Sequence, residues 1–296
     1  MKPAPFKYHS PTSVEEAIQL LGELDNPKLL AGGQSLMPMM NFRFMMPTHV
    51  IDLNQIPALS GIELRGETLY IGAMTRQHDI HTSSLIKIAA PIIAEAYDMV
   101  SHRQIRNRGT LGGSLCHLDP SSEQPCFISV LDGSIDVVGP NGPRSIKMGE
   151  WTSMYMTPAM SEQEVMIGVH FSPWPKGHGW AFLEYSRRHG DYAIVGVAVL
   201  VTLNEKREIT QLAISICGIS YAPCRLSNAE LKLLGMKADH NATTIAAQCI
   251  DAIEDIMEDA HNSSDYRRHL AKIYTQRALE LAFHRANNAD HGQHTH

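Results

Sequence analysis

Two glycine pairs constrain this chain more than any other feature. The first lies in residues 29–36 (LLAGGQSL) and the second in residues 108–114 (RGTLGGS), 80 residues further along. Adjacent glycines reach backbone conformations barred to other residues and present N–H groups without a side chain in the way. A concave row of such N–H groups binds anions. The pairs therefore predict either a site for the diphosphate of a dinucleotide or two ordinary turns.

Neither glycine segment is one of the common nucleotide-binding fingerprints. The pattern G-x-G-x-x-G of the Rossmann fold is absent from both, and the chain contains no G-x-x-x-x-G-K-[ST]. Both patterns depend on glycines at those spacings to bring the backbone close to phosphate. If the chain holds a dinucleotide, it must do so with another fold.

Length and composition narrow the class of protein. The chain has 296 residues, enough for two domains, with 44% hydrophobic and 19% charged residues, as in ordinary globular proteins. Its net charge of −6 disfavours nucleic acid as a partner. No apolar run approaches the ~20 residues that span a bilayer. The first 13 residues lack the apolar core of a secretory signal, so a cytoplasmic location is predicted.

The cysteines and histidines give no metal site. The five cysteines include no C-x-x-C pair, which disfavours a disulfide framework, a zinc ribbon and an iron–sulfur cluster. His78 and His81 stand at the i, i+3 spacing of a helix face without a third ligand. We therefore predict no metal ligand in this chain.

Hydrophobic periodicity predicts an α+β chain. The segment Ser13 to Glu16 fits a capping box, which begins a helix over residues 14–24. Pro- and Gly-rich residues 172–179 indicate a domain boundary. The other predicted helices are 37–43, 85–100, 121–131, 228–234, 243–257 and 266–286, and the predicted strands are 28–31, 49–53, 62–64, 68–71, 164–171, 192–203 and 209–218.

Several motifs together resemble one family, the FAD-carrying medium subunits of molybdenum hydroxylases. This family includes the subunits of carbon monoxide dehydrogenase, quinoline oxidoreductase and nicotine dehydrogenase, and the FAD domain of xanthine dehydrogenase. The resemblance extends over nearly the whole chain. The segments that carry it are residues 31–36 (AGGQSL) with Pro38, 41–43 (NFR), 50–54 (VIDLN), 104–109 (QIRNRG), 110–114 (TLGGS) with Asp119 and Pro120, and 187–192 (RRHGDY).

The resemblance implies a fold and a division into domains. Residues 1–176 would form an FAD-binding domain of the vanillyl-alcohol-oxidase (PCMH) type, in two parts. Residues 177–287 would form a small C-terminal α+β domain of the carbon monoxide dehydrogenase flavoprotein type, with antiparallel strands followed by helices. Residues 288–296 would be a disordered tail.

The resemblance also implies which residues bind FAD. Backbone N–H groups of both glycine loops would hold the diphosphate, and a carboxylate would accept from sugar hydroxyls. Taken as ordinary structure, Asp119 begins a turn, Glu123 is a solvated residue near a helix start, and Ile167 is a core strand residue. The FAD-binding residues implied are Leu29, Leu30, Ala31, Gly32, Gly33, Gln34, Ser35, Leu36, Thr110, Gly112, Gly113, Ser114, Asp119, Glu123, Ile167 and Tyr192.

Glu184 departs from the family pattern. Some relatives have a lysine at this position, two residues after Phe182, where a positive charge would face the flavin. A glutamate removes that charge. Tyr185 or Tyr192 could supply a hydrogen bond in its place. Arg103, Arg106 and Arg108 form a basic segment that contacts a partner or phosphate, or is simply solvated.

By resemblance, this chain is the electron-transfer subunit of a heterotrimer and has no acid–base or nucleophilic catalytic residue of its own. It would take electrons from two [2Fe-2S] clusters on a small subunit, while a large subunit carries the molybdenum cofactor, and the whole would be a dimer of heterotrimers. A free-standing FAD-dependent oxidase of the same fold and a non-enzymatic binding module are the alternatives. Nitrogen heteroaromatic substrates are favoured for the complex, with carbon monoxide and aldehydes left open.

Overall fold

The structure, a computed structural model, describes residues 1–289. Short 3-10 helices cover Leu53–Gln55, Pro57–Leu59 and Ile250–Ala252. The helices are α1 Val14–Glu23, α2 Leu36–Asn41, α3 Gln77–Thr82, α4 Ser84–Ala89, α5 Pro91–Met99, α6 Arg103–Arg106, α7 Leu111–His117, α8 Glu123–Val130, α9 Met148–Trp151, α10 Ser227–Leu233, α11 His240–Cys249 and α12 Ser264–Ala289. The strands are β1 Lys7–His9, β2 Pro27–Leu30, β3 His49–Asp52, β4 Ile62–Arg65, β5 Thr68–Gly72, β6 Ser134–Gly139, β7 Gly142–Lys147, β8 Thr152–Met154, β9 Thr157–Pro158, β10 Val165–Phe171, β11 Gly179–Tyr185, β12 Val195–Leu203, β13 Ile209–Cys217 and β14 Cys224–Arg225.

The chain forms two compact units, each built from separated segments. Unit 1 comprises Met1–Ser83, His102–Leu118 and Gly133–Ser172. Unit 2 comprises Ser84–Ser101, Asp119–Asp132 and the chain from Pro173 onward. No helix within residues 1–289 is long and apolar enough to cross a membrane.

Unit 1 contains both glycine motifs. Its three-stranded sheet has the order β1-β3-β2, with both outer strands parallel to β3. Its five-stranded antiparallel sheet has the order β4-β5-β10-β6-β7. Helix α1 packs on β3 and β10 through a cluster that includes Ala17, Leu21 and Ile51. The first glycine segment leaves the end of β2, and the second begins α7.

Unit 2 is an antiparallel sheet, β11-β12-β13-β14, with helices on both faces. One face is apolar and packs on α12, with Val195, Val197 and Ile216 in the same cluster as Ala278 and Ala282. Helices α5 and α8 contact the same strands. The thiol of Cys126 on α8 lies 3.3 Å from the carbonyl oxygen of Ser215 on β13. All eight residues of α8 are buried, which explains why this helix has no polar face.

Several predicted elements are confirmed and others need correction. The hydroxyl of Ser13 accepts from the N–H of Glu16 at 3.1 Å, so the capping residue starts α1 as predicted. The single helix predicted over 85–100 is wrong, because it breaks into α4 and α5 at Ala90, ahead of Pro91. The helix predicted over 243–257 ends early, at Cys249.

Two further differences concern the glycine motif and the C-terminus. Residues 111–117, predicted as loop, are helix α7. The predicted tail starts at residue 288, yet α12 continues to Ala289. The rest of that tail, residues 290–296, lies outside the described residues.

Candidate functional site

The first glycine loop presents N–H groups without acceptors. Gly33 has φ of +74°, a left-handed conformation that suits glycine, and the loop continues into α2. Within residues 1–289, the backbone N–H groups of Gly32, Gly33, Gln34 and Ser35 donate no hydrogen bond. Gln34 turns its side-chain amide back onto the carbonyl oxygen of Gly32, at 3.1 Å. The loop therefore carries a consecutive row of unused donors, as the sequence predicts for an anion site.

A cavity of about 390 Å³ opens beside these donors, and we call it the loop cavity. Arg108 is its one basic lining residue, and its side chain has no ion pair among the residues described. Asp52 is its one acidic lining residue and is already engaged, because its carboxylate accepts from the Tyr8 hydroxyl at 2.5 Å and from the N–H of Asn54 at 2.9 Å. The loop cavity thus combines free N–H donors with an unpaired positive charge.

The second glycine motif plays a different part from the first. The Thr110 hydroxyl accepts from the N–H of Gly113 at 3.0 Å, which caps the start of α7. The N–H of Leu111 donates to the carbonyl of Thr75 at 3.2 Å, and that of Gly112 donates to Ala73 at 2.8 Å. The N–H of Ser114 donates to the Thr110 carbonyl at 3.3 Å. The N–H groups of this motif are therefore bonded within the chain, so the expected second row of free donors is absent from residues 111–114.

The structure nevertheless brings the two motifs together. A Cβ atom on Gly32 would lie 2.3 Å from the carbonyl oxygen of Arg108 and 2.7 Å from the Cα of Gly109. A Cβ on Gly113 would lie 3.4 Å from the Cβ of Ala31. No side chain fits at Gly32, because the two backbones are in contact there. Segments 80 residues apart in sequence are thus in backbone contact beside the loop cavity.

Two residues that the sequence analysis left out of the site connect these motifs. Arg76 donates one Nη to the carbonyl oxygen of Arg108 and the other to Oδ1 of Asn54, the latter at 2.5 Å. Asn54 donates from Nδ2 to the carbonyl oxygen of Ala31 at 2.9 Å. In the sequence, Asn54 belongs to the segment 50–54 that carries the family resemblance, but it is not one of the predicted FAD-binding residues. No local sequence signal marks Arg76, because its two partners, Arg108 and Asn54, lie in two other segments of the chain.

Ile167 lies elsewhere in unit 1, on β10. Its carbonyl oxygen accepts from the Tyr70 hydroxyl at 2.9 Å and from the N–H of Ala73 at 3.0 Å. The side chain packs against the cluster under α1. Ile167 does not line the loop cavity. Its contact with flavin stays a prediction.

The remaining candidates lie in unit 2. Asp119 begins a turn, with Oδ1 accepting from the N–H of Ser121 at 2.9 Å. Glu123 is buried, with 8% of its surface exposed, so its interpretation as a solvated residue is wrong. Burial, with the nearby charge of Asp119, raises the pKa of Glu123 to about 7. Tyr192 is 68% exposed.

Glu184 lies close to this group. It pairs with Gly196 across β11 and β12, and a Cβ on Gly196 would lie 3.9 Å from the Glu184 Cγ. Burial, and then the charge of Glu123, raise the pKa of Glu184 to about 8. Its Oε2 is buried without a hydrogen-bond partner in the described chain. Residue 184 is therefore a carboxyl group that burial favours in its neutral form.

The part of the chain that the structure describes holds no cluster of three or more His, Cys, Asp or Glu side chains able to bind a metal. His78 and His81 lie on α3 without a third ligand. All five cysteines are free thiols. The first glycine loop and Arg108 of the loop cavity are suited to binding an anion, such as the phosphate groups of a cofactor.

Two family models match the chain. The family described as "FAD binding domain in molybdopterin dehydrogenase" matches residues 4–174, more than half of the chain. The family described as "CO dehydrogenase flavoprotein C-terminal domain" matches residues 180–282. The chain belongs to the molybdopterin dehydrogenase FAD-binding family. Its cofactor is FAD, as predicted.

Relatives of this family cover the chain almost from end to end. The carbon monoxide dehydrogenase medium chain of Hydrogenophaga pseudoflava is 37% identical over 287 residues, which cover 96% of this chain and 99% of the relative. A subunit of the 6-hydroxypseudooxynicotine dehydrogenase complex of Paenarthrobacter nicotinovorans is also 37% identical, covering 97% of each chain.

Solved structures agree with this assignment. A carbon monoxide dehydrogenase from Hydrogenophaga pseudoflava matches with a TM-score of 0.93 and 36% identity, covering 96% of this chain and 99% of that chain. Quinoline 2-oxidoreductase from Pseudomonas putida 86 matches with a TM-score of 0.92 and 31% identity, covering 97% and 99%. The predicted α+β fold class is confirmed, and so is membership of an oxidoreductase of the molybdenum hydroxylase family. The predicted division at residue 176 stays a prediction.

Proposed function

We propose that the chain holds the diphosphate of FAD in the loop cavity. The free N–H groups of residues 32–35 carry this proposal, because four consecutive unused donors beside a cavity are costly unless an anion or water accepts from them. Arg108 would add a charge-assisted contact to the diphosphate. Gly33 allows the loop to turn its N–H groups toward that anion.

The second motif would support this site indirectly, by fixing the backbone that packs against the first loop. Its N–H groups are bonded within the chain, so Thr110, Gly112, Gly113 and Ser114 would act by holding the backbone of Arg108 and Gly109 against Gly32. The family resemblance predicts that Asp119 and Glu123 accept from hydroxyl groups of the cofactor. These contacts with FAD stay predictions.

We infer that the chain serves as the electron-transfer subunit of a heterotrimeric molybdenum hydroxylase. Bound FAD supplies the ability to carry one or two electrons, and the protein supplies position and electrostatics. Electrons would come from the [2Fe-2S] clusters of a small subunit, with the molybdenum cofactor on a large subunit, and would leave to an external acceptor. Relatives that match along their full length are chains of multi-subunit enzymes, which supports this role.

The surface of unit 1 is compatible with a partner subunit. Directly after α2, the side chains of Phe42 and Phe44 are 60% and 82% exposed, and that of Met46 is 57% exposed. Clustered exposed aromatic and methionine side chains are typical of protein–protein interfaces. We propose assembly as a dimer of heterotrimers and a cytoplasmic location, as the sequence predicts.

The substrate of the complex stays open. Relatives at 32–37% identity bear the names carbon monoxide dehydrogenase, nicotine 6-hydroxylase and caffeine dehydrogenase, so identity does not separate these substrates. A nitrogen heteroaromatic compound is favoured by the forms of the two glycine motifs. That compound would react on the large subunit and would not contact this chain.

The test is a visible absorbance spectrum of the complex purified through this chain from its native host. Flavin bands together with the broad absorption of iron–sulfur clusters are expected, along with two further chains on a gel. Flavin bands without partner chains would replace this proposal with the free-standing oxidase. A colourless protein would contradict FAD binding itself.

A further inference from the structure

The segment from Ala73 to Gln77 contacts both glycine motifs. Its backbone lies beside the second motif, because the N–H of Gln77 donates to the carbonyl of Gly109 at 2.9 Å and Arg76 forms a β-bridge with Thr110. A Cβ on Gly112 would meet the Cβ of Ala73 at 2.7 Å. This segment is therefore fixed to the second motif by backbone contacts alone, whatever its side chains are.

The first motif is connected to this segment through side chains. The guanidinium of Arg76 reaches two acceptors, the carbonyl oxygen of Arg108 and Oδ1 of Asn54. Asn54 in turn donates to the carbonyl oxygen of Ala31, one residue before the glycine pair. The two glycine motifs are thus joined by the chain of contacts Arg108–Arg76–Asn54–Ala31, which we call the arginine bridge.

The chemistry of the arginine bridge requires these residue types. A guanidinium donates in a planar fork to two acceptors at once, whereas a lysine ammonium is a compact point charge. Asn54 must accept on one side and donate on the other, which an amide does and a carboxylate does not. Asp52 orients Asn54 by accepting from its N–H at 2.9 Å.

Arg76 is also placed at some energetic cost. It is half-buried, and no ion pair involves it among the residues described. Burial, and then the neighbouring charge of Arg108, lower its pKa from the ordinary arginine value. A second arginine beside the unpaired Arg108 destabilises the empty site and favours a bound anion.

We propose that Arg76 is a positioning residue, which through Asn54 holds the two glycine motifs at the separation that the cofactor diphosphate requires. This inference rests on the proposed function for its ligand. The positioning itself is a property of the chain without FAD. The two parts can therefore fail separately.

The first test is hydrogen–deuterium exchange on the full chain without FAD. Arg76→Met is expected to speed exchange at least about tenfold in peptides covering residues 37–39 and 54–56, since a hydrogen bond to a charged group is lost. The N–H groups of Met37 and Met39 donate to carbonyl oxygens of the first loop, and that of Asn54 donates to Asp52, so these amides report whether the loop and Asn54 stay in place. Exchange in β12 and β13 of unit 2 is expected to stay unchanged. Unchanged exchange in both peptides would overturn the positioning role, whether or not the chain binds FAD.

The second test is FAD affinity, measured by quenching of flavin fluorescence. Arg76→Met and Asn54→Ala are each expected to weaken the Kd about tenfold, and the double variant by little more than either. Arg76→Lys is expected to recover part of the affinity. Arg65→Met is the control, because Arg65 is an exposed arginine of the same unit paired with Glu63.

These results separate the two hypotheses. Independent, multiplicative losses in the double variant would overturn the coupling through Asn54. A wild-type chain that binds no FAD would contradict the proposed function, while the exchange experiment would still decide whether Arg76 positions the glycine motifs.

Discussion

At the scale of single residues, Gly33 differs from the other glycines of the two motifs because it combines a free N–H group with a positive φ. We expect Gly33→Val to weaken FAD binding by at least about tenfold, since a β-branched side chain at φ of +74° forces the loop to turn its donors away. Fluorescence quenching by the full chain gives the Kd, and circular dichroism reports whether the chain stays folded.

Gly66 provides the matched control for this substitution. It also has positive φ, +64°, in the hairpin between β4 and β5, and a Cβ there would meet nothing within 4 Å. Gly66→Val carries the same backbone strain away from the loop cavity. Full FAD affinity in the Gly33 variant, or equal loss in both variants, would contradict the assignment of the first loop.

Glu184 leads to a prediction about pH. The folded chain raises the pKa of Glu123 to about 7 and that of Glu184 to about 8, whereas an unfolded glutamate titrates at about 4.3. Between those values the folded state binds more protons than the unfolded state. The free energy of unfolding therefore falls as pH rises from about 4.5 to about 8.

The expected loss is on the order of several kcal/mol, and Glu184→Gln should remove the larger share of it, because the pKa of Glu184 is raised further than that of Glu123 and an amide does not ionise. The other titratable groups around this pair are Tyr97, Tyr192, Cys126, Cys217 and Asp119. Thermal unfolding of the full chain between pH 5 and 8.5 measures the slope. Glu205→Gln, in the exposed turn before β13, should keep the wild-type slope, and an unchanged slope in the Glu184 variant would refute the explanation.

The residues of the site differ in how far sequence could predict them. Gly32 and Gly33 stand out locally, so the loop could be found without a structure. Arg76, Asn54 and Ala31 are spread over 46 positions, and nothing in their local sequence marks them as partners. The burial of Glu123 was equally hidden, because it depends on a sheet that begins more than 50 residues later.

At the scale of elements, the backbones of β11 and α12 lie in direct contact at Gly179. A Cβ on Gly179 would lie 1.9 Å from the carbonyl oxygen of Ala282, so the helix backbone lies directly on the strand. We expect Gly179→Ala to lower the free energy of unfolding by about 1–3 kcal/mol, because α12 must move away. Denaturant titration of the full chain measures this loss.

The control for that substitution is Gly149→Ala in α9. A Cβ at Gly149 meets nothing within 4 Å, and alanine is the better helix former by about 1 kcal/mol. This variant should be neutral or more stable. If the Gly179 variant were also neutral, the packing of α12 on β11 would need revision.

Elements were predictable where the local signal agreed with the final structure. Ser13 and the spacing of apolar residues were enough to place α1. Pro91 marked a break in the next long helix, but the apolar pattern on both sides concealed it. Helix α7 could not be found, because glycine is a poor helix former and contacts with Ala73 and Thr75 hold its first turn in place.

At the scale of the whole molecule, the two units do not coincide with contiguous stretches of sequence. Helices α4, α5 and α8 precede residue 176 in the chain but belong to unit 2. A fragment starting at residue 177 therefore lacks α5 and α8, which pack on its sheet. We expect this fragment to show no cooperative thermal unfolding, whereas the full chain does. A native-like, cooperative transition in the fragment would instead support a self-sufficient C-terminal domain.

The interleaving of the two units also bears on how the protein is made. A ribosome releases α8 well before Val195, where β12 begins. All eight residues of α8 are buried in the folded protein. Until β12 and β13 have been translated, these residues have no sheet to pack on. Packing between segments so far apart in sequence forms slowly, and the apolar surface that stays exposed in the meantime favours aggregation. The nascent chain is consequently a substrate for chaperones until its last strands have been translated.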